Sequence, residues 1–232
     1  MRHELLGEVE ITVRTSARRF IARYDSDGRV RLTVPSLASE ADVRRALDNL
    51  APRLLARRKQ IQPLYSDGMV VDNPGLRVEI RHSARARGGV CVSGTTANAI
   101  VHVDPTLSLA DRDVAETVSR MMMRVAGLRA RTVLVRQAHA VAAELGVAPL
   151  KWIIGRGLRT LGRCSSRREI SLSAALMFAP EHLRRYVICH ELAHLSEMNH
   201  SARFHSLCND YCGGLEAELE AALKAHRWPL LR

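Results

Sequence analysis

His190-Glu191-Leu192-Ala193-His194 is the stretch of this 232-residue sequence whose residue types and spacing specify a reaction. Residues i and i+4 of a helix lie about 40° apart in projection, so two imidazoles at that spacing can reach one metal ion. Glu191 projects within a turn of both, beside a metal-held water, without being a ligand itself. Zinc lowers the pKa of such a water toward ~7, and a neighbouring carboxylate takes the proton as the water attacks a carbonyl. In a chain with ten histidines this pattern arises by chance in roughly 1–2% of cases.

A catalytic zinc usually has three protein ligands and one open position. His200 is separated from His194 by five residues, the interval at which some zinc peptidases fold the chain back to the metal. Glu197 stands where those peptidases carry a glycine, so a different chain reversal is expected here. Asn199 and Ser201 suit a turn and a helix cap. Glu197, Glu216 and Glu218 are the rival ligands, and His200 ranks ahead of them. Tyr211, Arg163 and His205 are weaker candidates for polarising the scissile carbonyl. Cys164 and Cys189, beside the motif, read as inert thiols rather than nucleophiles. Cys208 and Cys212 lack a second pair to complete a zinc ribbon.

The elements that position these residues show in the periodicity. Pro180 at a first helical position opens a helix running to about residue 196, packed through Val187, Ile188, Leu192 and Leu195. A helix over 201–211 and a last one from Leu215 to His226 follow, with Gly213-Gly214 between them. Leu150, Trp152 and Ile154 alternate as a strand, as do Ile170 and Leu172. Upstream, Pro105 and Ser108-x-x-Asp111 start a helix with Val114, Val118, Met121 and Val125 on one face. Leu134, Ala138, Val141 and Leu145 line another, ending at Gly146, and Met121 to Met123 read as core.

The first 104 residues are β-rich. Val9, Ile11 and Val13 alternate, then Phe20, Ala22 and Tyr24, then Val30, Leu32 and Val34. Asp25-Ser26-Asp27-Gly28 would turn the last two into a hairpin. Ser39-x-x-Asp42 resembles a capping box for a helix bearing Val43, Leu47, Leu50 and Leu54. Short strands are expected at 69–72, 76–82, 89–93 and 99–103. The composition shifts near residue 105, dividing a β-rich region, 1–104, from a catalytic region, 105–232. No internal repeat is visible in the sequence.

The run from Tyr186 to Leu195, with Asn199-His200-Ser201 and Arg203-Phe204, resembles the YgjP-like metal-dependent hydrolases, relatives of the SprT-like and WLM zinc proteases. Cys164-Ser165-Ser166 and Ile170-Ser171-Leu172 are similar to the family's segment before the zinc helix. The likeness is dense over 161–211 and looser in the N-terminal half. Two positions depart from the family pattern: Trp-Gly-Ser-Cys reads Leu161-Gly162-Arg163-Cys164, and the aromatic after Phe204 is His205. The resemblance implies an α+β, minigluzincin-like core with an edge strand above the active-site helix that holds an extended peptide. It also implies zinc on His190, His194 and His200, with Glu191 as general base.

Composition sets the outer limits. Hydrophobic residues make up 47% and charged residues 25%, the balance of a globular protein with a core. No apolar run approaches the ~18 residues of a membrane span, and no secretory leader is evident. Five cysteines, an odd number, do not form a disulfide framework. A cytoplasmic location is expected. Net charge is +11, yet 32 of the 35 basic residues are Arg, a skew that resembles codon bias. With only 4% aromatics, a base-stacking platform is poorly supplied. Contact with nucleic acid would be electrostatic and sequence-indifferent. The reading is a zinc metallopeptidase acting on a peptide or protein. A metal-dependent nucleotide phosphohydrolase and a nucleic-acid-associated zinc-binding module are the alternatives.

Overall fold

The computed structural model describes residues 1–24, 30–59 and 64–231. They fall into two compact units that divide between Pro63 and Leu64.

In the first unit, strands β1 (Arg2–His3), β2 (Gly7–Arg14), β3 (Ile21–Tyr24) and β4 (Val30–Pro35) precede helix α1 (Glu40–Lys59). The sheet order is β1-β2-β4-β3. The expected pairing of β3 with β4 is antiparallel in register Ile21↔Thr33 to Tyr24↔Val30; its turn lies outside the described residues. Periodicity does not name a strand's partner, and here β2 joins β4 in parallel. Val9, Val30, Leu32 and Val34 meet Val43, Leu47, Ala51 and Leu54 of α1 in the core. Ile11 and Val13 stay exposed, so the apolar stripe of β2 is buried only at its start. The capping box forms: Ser39 Oγ accepts from the Asp42 N–H at 3.2 Å, and Asp42 Oδ2 accepts from the Ser39 N–H at 3.1 Å.

The second unit opens with β5 (Val70–Asn73), β6 (Leu76–His82), β7 (Val90–Gly94) and β8 (Asn98–Val103), then α2 (Arg112–Ala130). Its order is β5-β6-β8-β7, with β6 and β8 parallel and the outer pairs antiparallel. That is the first sheet's order over again, helix included. No repeat is legible in the sequence, yet the topology repeats, because strand order does not require shared side chains.

Val78, Ile80, Val101 and Val103 share one core with Val118, Met122 and Val125 of α2 and with the later helices. The compositional shift near 105 therefore marks the change from sheet to helix, while the chain divides about forty residues earlier. Helix α3 (Val133–Glu144) ends at Gly146, whose φ of +67° closes the turn.

A three-stranded sheet follows: β9 (Lys151–Gly155), β10 (Gly162–Cys164) and β11 (Glu169–Ser173), in the order β10-β11-β9. Strand β10 is thus an edge. The remaining helices are α4 (Glu181–Ala193), α5 (Ala202–Tyr211) and α6 (Glu216–Ala225). Pro180 is the N-cap of α4, one place earlier than expected, and the helix stops at Ala193 rather than near 196. Two long-range contacts hold α4 in place. Arg185 pairs with Glu144 of α3 at 2.8 Å, and buried Arg184 donates to the Pro74 carbonyl at 3.1 Å. The fold is α+β, and no helix among the described residues is long and apolar enough to cross a membrane.

Candidate metal centre

Helix α4 buries Leu183, Val187, Ile188 and Leu192. His190 stands on its last turn, and His194 is its C-cap. Three tight backbone bonds then reverse the chain: Leu195 N–H to Leu192, and Ser196 and Glu197 N–H both to Ala193. The reversal delivers His200 just before Ser201, whose hydroxyl caps α5 by accepting from the Phe204 N–H.

One ring nitrogen from each of His190, His194 and His200 lies within 4.8 Å of the others. The Nε2 atoms of His190 and His200 are 3.1 Å apart. His194 Nδ1 stands 2.9 Å from the Glu197 carbonyl. A carbonyl only accepts, so Nδ1 carries the proton and Nε2 is left with its lone pair for a cation. Burial, with the neighbouring imidazoles, lowers the His190 pKa to about 4; burial likewise lowers that of His194. Neutral imidazoles crowded together are what a divalent cation needs. The donor set fits such an ion.

Phe204 lies beneath all three rings. Its centroid is 4.4 Å from His194, stacked, and 4.9 Å and 4.8 Å from His190 and His200. It is fully buried. The sequence marks it only as part of the family run; its role needs α5 folded against α4. Phe204→Ala is expected to cost about 3–5 kcal/mol, the usual loss for a buried aromatic. Phe204→Leu should retain most of that stability yet bind zinc ~10-fold more weakly, the scale of a lost outer partner. Thermal melting and competition with a chromophoric chelator check the two effects separately.

Glu191 is 5% exposed. Burial raises its carboxyl pKa to about 7, against the opposing pull of the Cys164 backbone N–H. Its Oε2 is buried without a hydrogen-bond partner in the protein.

The rival ligands lie elsewhere. Glu197 pairs with Arg203 at 2.9 Å, Glu216 pairs with His205 at 2.9 Å, and neither they nor Glu218 belong to the histidine cluster. Of the carbonyl-polarising candidates, His205 comes within 6.3 Å of the His200 ring, centroid to centroid. Arg163 is exposed on β10, and Tyr211 closes α5. Burial raises the Cys164 thiol pKa. Hydrogen bonding to Cys212, then burial, raises that of Cys189. Both shifts disfavour the nucleophilic thiolate.

Comparison with known proteins adds three findings. No curated protein matches the sequence. The crystal structure of the metallopeptidase zymogen of Methanocaldococcus jannaschii jannalysin aligns at a TM-score of 0.35 and 20% identity, over 39% of this chain and 93% of that one. The family model described as YgjP-like, metallopeptidase domain, matches residues 18–226. With that match spanning most of both units, the chain belongs to the YgjP-like metallopeptidase family.

Proposed function

We propose that this protein is a zinc-dependent peptidase in which His190, His194 and His200 hold the metal and Glu191 is the general base. The observation that carries the reading is a buried carboxylate with a free oxygen, placed between the first two members of a three-histidine cluster. Membership of a metallopeptidase family supports a metal-dependent peptidase. Three nitrogen donors, one short of a tetrahedral set, suit zinc, which brings no redox chemistry of its own.

When bound, zinc supplies Lewis acidity toward a carbonyl and a water molecule. Glu191 takes one proton from the attacking water. As the C–N bond breaks, it gives that proton to the departing amine nitrogen. A carboxyl group with a pKa near neutrality can serve in both directions. The Glu197 carbonyl keeps His194 in one tautomer, and Phe204 restricts the tilt of all three imidazoles.

The test is a proteome-derived peptide library incubated with protein of measured metal content. Removal of metal by a strong chelator should abolish cleavage, and one equivalent of zinc should restore it. Cleavage that persists at full rate in metal-free protein would overturn the proposal.

A further inference from the structure

Gly162 has no local reason to be glycine. It lies in β10, paired with Leu172, and its φ is outside the left-handed region. An L-residue would adopt that backbone without strain. The constraint is one of space. A Cβ built on Gly162 would stand 2.3 Å from Glu191 Oε1, 2.6 Å from its Cγ and 2.7 Å from its Cδ. Real Cβ atoms do not approach that closely, so either the strand or the carboxylate would have to move.

The strand has little freedom to retreat. The Ser173 N–H donates to the Leu161 carbonyl at 2.7 Å, and the Ser165 N–H donates to Glu169 at 2.9 Å. These bonds clamp β10 to β11 at both ends. The bond at Leu161 also sets the phase of the ladder. In an antiparallel pair, paired and unpaired positions alternate, so the amides of Gly162 and Cys164 face the free edge. The Cys164 amide lies near enough to the Glu191 carboxylate to draw its pKa down. Glu191 therefore stands against the edge strand, where a missing side chain leaves it room. One oxygen, Oε2, remains without a partner.

We propose that Gly162 is the positioning residue for Glu191, its lack of a side chain letting the edge strand lie against the carboxylate and set where the free oxygen stands. The inference rests on Glu191 being the base. Any Cβ at 162 would push the carboxylate out of its place while leaving the three histidines untouched.

The experiment is a mutant cycle in zinc-loaded protein, with kcat and KM measured separately on one cleaved peptide. Gly162→Ala is expected to lower kcat on the order of 10–100-fold, the cost of misplacing a reacting group by about 1 Å. Zinc stoichiometry should hold, and KM should change less than about threefold, because the methyl would point at Glu191. In a Glu191→Gln background, where no base remains to misplace, the same substitution should change residual turnover by less than about twofold. An equal loss in both backgrounds, or an unchanged kcat in the single variant, overturns the proposal. A Glu191→Gln variant that keeps full turnover defeats the general-base reading by itself, and the proposal with it.

A folding arm covers the case in which Gly162→Ala is poorly folded. Glu191→Ala deletes the atoms a methyl would meet, so adding Gly162→Ala to it should leave the melting temperature where Glu191→Ala alone puts it. A further drop on adding it would show that the glycine answers to something other than Glu191, and would overturn the proposal.

Discussion

Glu191→Gln is expected to retain near-stoichiometric zinc and to lose at least ~100-fold in peptide turnover, the scale of a missing general base. The substitution preserves shape and an acceptor oxygen, but removes the ability to carry a proton. Because Glu191 is buried, water cannot readily take its place. Metal content by atomic emission and turnover on one peptide check the two halves of the expectation. A metal-loaded variant that still turns over would exclude Glu191 as the base.

His200→Ala should weaken zinc binding by at least ~100-fold, more than the loss of an outer partner costs. His200 is the exposed member of the cluster and the one not carried on α4. It is presented by a short reversal held by backbone bonds and by the Ser201 cap, so removing its side chain should leave the turn formed. Glu197→Ala and Glu216→Ala should leave affinity nearly unchanged, since those carboxylates are engaged with Arg203 and His205. If either glutamate variant lost the metal while His200→Ala kept it, the assignment would be reversed.

What the sequence made legible was local. Helical spacing placed His190 and His194 together, and the polar residues at 199–201 announced the turn that carries His200. The Ser39–Asp42 box and the stripe through Val43, Leu47 and Leu54 were equally readable, because cap and stripe lie within a few turns of one another. What escaped was long-range. Parallel pairing of β6 with β8 leaves no mark in the alternation of either strand. The division at Pro63 was hidden because the sheet of β5 to β8 buries its apolar face against α2, which follows it, and composition does not record burial. Phe204 and Gly162 escaped for a related reason. One is an ordinary aromatic on an amphipathic helix, and the other an ordinary glycine in a strand, until the tertiary fold puts a histidine cluster and a carboxylate against them.

The recurrence of one strand order with its helix bears on how the molecule comes apart. The core of the first copy holds nine buried apolar side chains among the described residues. A chain of about sixty residues buries only ~60% of the surface its unfolded form exposes. The second copy extends the same apolar face into the core beneath α3, α4 and α5. The three histidines all belong to that larger core's unit. A midpoint followed by zinc release therefore reports the melting of the unit that carries the histidines, and a probe placed in the first copy is needed to follow the other.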